Sequence, residues 1–237
     1  MRKLSFILLV ALLAGCGPHK PTVSELREQK HLSDSMAMLQ YRQTMNYTDS
    51  ILQHILPTAD TLLKQFRYVK NERYADHGYY ILPQLQTAGL GQRVYIQAYV
   101  TDDFKTVVRS MYFGSRAIKH NRLTLSADSV TNTYHGDLYV FDSDGVHEIL
   151  TLGDDDAVAL LRFVNAFEHE RIKVTLNGER AHAYWLQDKD KTALVETLRL
   201  QTLMSDIRTL EDRYRQASLQ FEKYARRIAP SHTEHAQ

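Results

Sequence analysis

Leu200, Leu203, Ile207, Leu210, Tyr214, Ala217, Phe221, Tyr224 and Ile228 recur at alternating steps of three and four without a break. A surface helix carries a broader apolar stripe that drifts with the 3.6-residue period, whereas a sustained 3.5-residue repeat asks for a long partner helix. Glu211 before Arg215 and Glu222 before Arg226 add i,i+4 pairs in the favourable order, so the outer face is built for water. A second seam lies earlier in the chain: Met38, Tyr41, Met45, Thr48, Leu52, Ile55, Ala59, Leu62, Phe66 and Val69, with Thr48 its only polar member. Pro57 falls inside that arm and predicts a kink, because the heptad stays in frame on both sides.

Two arms around a strand-rich middle predict an α+β fold, a long antiparallel helical hairpin (a coiled-coil stalk) with an antiparallel β head inserted between its arms. If both arms meet the head at their inner ends, Val69 lies near Leu200 and Ile55 near Tyr214, a paired length of about 45 Å at roughly 1.5 Å per residue. Tethering favours this pairing over seams that join separate molecules, although an oligomer formed through the coiled coil is the alternative.

The middle changes period from three-and-four to two. Tyr79, Tyr80, Ile81 and Leu82 form a strand that Pro83 places at an edge. Val94, Ile96, Ala98 and Val100 alternate with Arg93, Tyr95, Gln97 and Tyr99, giving one aliphatic and one tyrosine-rich face. Asp102-Asp103 turns into a strand over 104–113, and further strands over 122–126, 136–142 and 146–152 predict a meander. Asp154, Asp155 and Asp156 crowd the start of a helix near 154–168, where carboxylates cap free N–H groups and suit the helix dipole. Asn177-Gly178 predicts a type I′ hairpin. A two-residue loop there sets Leu176 against Glu179 and Val174 against Ala181, with Ala183 and Trp185 on the buried face. Asp188 caps the second arm, Pro230 ends it, and 230–237 reads as a disordered tail.

The chain starts with Arg2 and Lys3, an apolar run over 4–13, and Leu13-Ala14-Gly15-Cys16. The run is about half the roughly 20 residues that a spanning helix needs and has a small-residue processing site after it, so 1–15 reads as a signal peptide. Leu13-Ala14-Gly15-Cys16 resembles the lipobox of bacterial lipoproteins, which implies cleavage before Cys16 and lipid on that cysteine. Cys16 is the only cysteine, so no internal disulfide can form and lipidation gives the thiol a use. The absence of an aspartate after Cys16 resembles outer-membrane sorting, which implies the periplasmic face of that membrane. Segments follow as 16–37 lipidated cysteine and tether, 38–73 first stalk helix, 74–187 head, and 188–229 second stalk helix.

Charge excludes one class of partner. Of 29 Lys and Arg, Arg2 and Lys3 leave with the signal, so 27 face 28 Asp and Glu and no nucleic-acid field arises. No metal, cofactor or catalytic arrangement is expected. Asp142-Ser143-Asp144-Gly145 lacks the ligand spacing of a calcium loop and reads as a hairpin turn. His120, His135, His147, His169 and His182 show no paired-ligand spacing and are expected on exposed strands and turns. Gly114-Ser115 lacks a nucleophile-elbow setting. The remaining candidates are Tyr95, Tyr99 and Tyr139, with Phe141 or Tyr112 beside them if their strands neighbour one another. Packing of these rings under another layer is the competing expectation. The expected function is therefore a non-enzymatic envelope lipoprotein whose head meets a protein partner, and the alternative is a head that binds a glycan or small ligand.

Overall fold

Thr22 and Glu25 start the first helix. The Thr22 backbone N–H donates to Glu25 Oε2 at 2.6 Å and the Glu25 N–H donates to Thr22 Oγ1 at 3.3 Å, a reciprocal capping box. The computed structural model describes residues 21–70, 78–86, 94–142 and 145–229. In it α1 runs Val23–Leu63 and passes through Pro57. Both boundaries expected for this arm are corrected. Helix occupies 23–37, expected to be tether, because the capping box satisfies its first N–H groups. At the far end, Gln65 and Phe66 donate to the carbonyls of Leu62 and Leu63 in a tightened last turn. Arg67–Val69 is then a strand, β1, rather than helix. The signal, Cys16 and residues 230–237 lie outside the described residues.

The chain divides into two compact units. The described part of the first is 21–48 and 213–229, and the second is 49–212. The last helix, α4 (Asp188–Ile228), contributes to both, as does α1.

In the first unit α1 and α4 pack through the seam residues. Tyr41 stacks on Tyr224 with centroids 5.8 Å apart, and the Arg42 guanidinium lies 5.3 Å from the Phe221 ring. Ala217 and Thr48 are buried. Thr48 is tolerated in the seam because its hydroxyl donates to the Thr44 carbonyl at 2.7 Å within the helix. Tyr41 meets Tyr224 rather than Ile228, which the expected register sets opposite it. The difference is about one helical turn.

The second unit holds two antiparallel sheets. After β1 come β2 (Tyr79–Ile81), the short helix α2 (Pro83–Gln86), β3 (Val94–Thr101), β4 (Thr106–Gly114), β5 (Arg122–Ala127), β6 (Val130–His135), β7 (Asp137–Asp142), β8 (Val146–Leu152), α3 (Asp154–Ala166), β9 (Lys173–Asn177) and β10 (Ala181–Trp185). Sheet A has the order β1-β2-β3-β4-β8-β7, and sheet B the order β10-β9-β5-β6. Ile96, Ala98, Val100, Val108, Leu150 and Leu152 of sheet A, Leu123, Leu125, Val174 and Leu176 of sheet B, and Leu160, Leu161 and Val164 of α3 form one apolar cluster. Leu62 and Phe66 near the end of α1, and Leu194, Leu200 and Met204 of α4, join it. No described helix is long and apolar enough to cross a membrane.

Four sequence expectations change here. Only β1 to β4 form a meander: the chain crosses to sheet B after β4, returns as the edge strand β7, and inserts β8 between β7 and β4. Pro83 does not mark an edge, since β2 lies between β1 and β3, and the proline opens α2 where its missing N–H costs nothing. Gly153, not an aspartate, is the N-cap of α3, and Asp154 instead accepts the Thr106 backbone N–H at 2.7 Å.

The Asn177-Gly178 hairpin also differs. Asn177 pairs with Ala181 and Leu176 with His182, so the loop is longer and the register shifts by an odd number of residues. Every β10 side chain changes face as a result. Ala181, Ala183 and Trp185 are exposed, while the buried Tyr184 hydroxyl lies on the side of Val174 and Leu176. Neither Asn177 nor Gly178 has the positive φ that a type I′ turn requires. Gly178 serves close approach instead, since a Cβ there would lie 2.2 Å from the Ile118 carbonyl oxygen.

Candidate interaction surface

Register decides which aromatic residues meet. Antiparallel partners share a face, so the row Tyr95, Met111, Ile149, Tyr139 crosses β3, β4, β8 and β7 on one side of sheet A. The adjacent row is Phe113, His147, Phe141. Along these rows the rings form a ladder. Tyr139 lies 5.7 Å from Phe141, Phe141 stacks on His147 at 4.6 Å and 8°, and His147 lies 4.4 Å from Phe113. Tyr139 is 64% exposed, Phe141 37% and Phe113 36%. Gly145 permits this arrangement: its φ of 146° turns the chain between β7 and β8, and its Cα carries nothing to displace the Phe113 ring beside it. The turn expected at 142–145 is therefore a hairpin connection, with Ser143 and Asp144 outside the described residues.

The three tyrosines named from the sequence separate. Tyr139 is on the exposed ladder. Tyr95 shares its row and is half-buried, and burial raises its pKa. Tyr99 is only 7% exposed, closed in by the Tyr79 ring at 4.5 Å and the Arg109 guanidinium at 5.2 Å. Its pKa rises through burial, with Arg109 opposing and Tyr79 adding to the shift. Tyr112 points the other way, with its hydroxyl donating to the Arg116 carbonyl at 3.2 Å. Phe113 and His147 escaped the sequence reading because their meeting depends on β8 pairing with β4. Their only local signal was matching strand parity.

A second arrangement is buried. Glu148, on the opposite face of β8, accepts the backbone N–H groups of Ile118, Lys119 and His120 at 2.6, 2.8 and 3.0 Å, and His120 Nδ1 donates to it at 2.7 Å. Both side chains are fully buried. His120 is thus not the exposed turn residue expected from its neighbours in sequence. An ionised carboxylate only accepts, so Nδ1 carries the proton, and buried Nε2 has no hydrogen-bond partner among the described residues. Burial raises the Glu148 pKa, but the four donated hydrogen bonds more than offset it and hold the carboxyl below its ordinary value. The cluster clamps the β4–β5 crossover onto sheet A.

A third feature lies at the start of α4. The Arg171 guanidinium stacks 4.2 Å from the half-exposed Trp185 ring, beside a recess of about 400 Å³ lined also by Leu186, Gln187, Asp188 and Lys191. Lys191 is committed to structure: its ammonium donates to the Glu168 and Glu170 carbonyls and pairs with Asp188. Among the described residues no group of three or more His, Cys, Asp and Glu is placed to hold a metal ion.

At a significant level, the chain matches no family model, no curated protein and no solved structure.

Proposed function

We propose that this chain is a non-catalytic, lipid-anchored protein of the bacterial cell envelope, held through Cys16 at the periplasmic face of the outer membrane, whose β domain engages a protein partner. The exposed ladder Tyr139, Phe141, His147, Phe113 carries the reading. Monomeric domains seldom leave several large rings contiguous and wet, and such patches mark interaction surfaces. The helices fit a spacer role. At 41 residues each, α1 and α4 would span about 60 Å, and we read them as the arms of an antiparallel stalk with the β head inserted between them.

Two measurements test this. Cys16→Ser should move the protein from the membrane fraction to the soluble one, and unchanged tight association would sink the anchor. Crosslinking in the native envelope, then purification of the intact lipoprotein, should recover a stoichiometric protein. Recovery of glycan without protein would move the assignment to a second reading, a glycan-binding head, which the Arg171 and Trp185 recess favours. Trp185 is the only tryptophan, so its fluorescence reports directly on saccharide added to the purified protein.

A further inference from the structure

The β7 edge carries more than exposed rings. It is the outermost strand of sheet A, so every second residue turns its backbone N–H and C=O away from β8. Its six residues read Asp, Leu, Tyr, Val, Phe, Asp, with Tyr139, Val140 and Phe141 exposed across both faces. The other edges are blunted in familiar ways. β1 is three residues long and begins with Arg67, β6 is mostly polar, and the Trp185 ring of β10 is stacked under Arg171. β7 alone among them is an apolar edge bracketed by carboxylates, and neither Asp137 nor Asp142 has an ion-pair partner among the described residues.

Those two aspartates discriminate among occupants. Antiparallel pairing of β7 with a second copy in matched register sets Asp137 against Asp142 at each end, and parallel pairing sets each aspartate beside itself. Like charges directly opposite are destabilising in either case. An incoming strand with lysine or arginine at both ends meets both carboxylates instead.

We propose that β7 binds its partner by strand addition, accepting an extended segment whose apolar centre is bracketed by basic residues about 17 Å apart. The segment completes the edge ladder, its basic ends pair with Asp137 and Asp142, and its centre covers Tyr139 and Phe141. The inference rests on the adaptor reading and specifies its contact.

A photo-crosslinking residue at Val140, with a control at Thr131 on β6, tests it in the full lipoprotein within the native envelope. The expected result is a crosslink from position 140 that maps to an apolar segment flanked by lysine or arginine. Its yield should fall at least tenfold in Asp137→Lys with Asp142→Lys, two exposed changes that leave thermal unfolding unaltered. An undiminished yield in that variant, a crosslink to a second copy, or protein captured only from position 131 overturns strand addition and leaves the adaptor reading standing. No protein captured from either position overturns both.

Discussion

His120 Nδ1 donates to Glu148 Oε2 at 2.7 Å with both side chains fully buried, and the same carboxylate gathers three consecutive backbone N–H groups. One side chain on β8 thereby satisfies the loop that carries the chain from sheet A to sheet B. Buried donors left unmade cost more than the net worth of a typical hydrogen bond, so this carboxylate controls the crossover.

Glu148→Ala strands those donors and is expected to destabilise the protein by about 3–5 kcal/mol at neutral pH. The pH dependence has a definite sign. The folded pKa lies below the ordinary value of 4.5, so the charged form's contribution is present above that value and is lost as pH falls through the folded pKa. Denaturant unfolding of both proteins from pH 7 down to pH 3 checks it: the gap between them should narrow below about pH 4.5. A constant gap would show that ionised Glu148 contributes nothing special.

Gly178→Ala drives a methyl group into the Ile118 and Lys119 carbonyl oxygens, 2.2 and 2.3 Å from its Cβ, and backbone cannot swing aside as a flexible side chain would. The expected loss is about 2–3 kcal/mol, in the range of core overpacking. Chemical denaturation measures it. A loss under about 0.5 kcal/mol, usual for an open surface site, would contradict the close approach.

Ala217→Asp places a charge in the packed seam of α1 and α4. It should cost about 2–4 kcal/mol locally and raise hydrogen exchange in 21–48 and 213–229. Amides of β3, β4 and β8 belong to the other unit and should keep their protection. Unchanged exchange in both helical segments would refute the packing.

Tyr139→Ser removes the most exposed ring of the ladder. Stability should move by no more than about 0.5 kcal/mol, as for most surface positions, while partner capture drops. Full capture by this variant would remove Tyr139 from the interface.

Periodicity within single segments was enough to determine that this chain is α+β, that two long helices use a three-and-four seam, and that β3 has an aliphatic and a tyrosine face. Those are local properties, set by which side chains recur on one side of a helix or strand. Pairing partners are not local. The short β1 looked like helix because Val69 continues the heptad after Phe66, and β6 went unseen because a polar edge strand has no hydrophobic alternation. Gly178 packs against carbonyls of the β4–β5 crossover, a neighbour distant in sequence, and His120 is buried beside the Glu148 that β8 delivers. Tertiary structure likewise sorted the tyrosines, enclosing Tyr99 with Tyr79 and Arg109 while leaving Tyr139 wet. A one-residue slip of strand register exchanges the faces, and only contacts between distant segments penalise that slip.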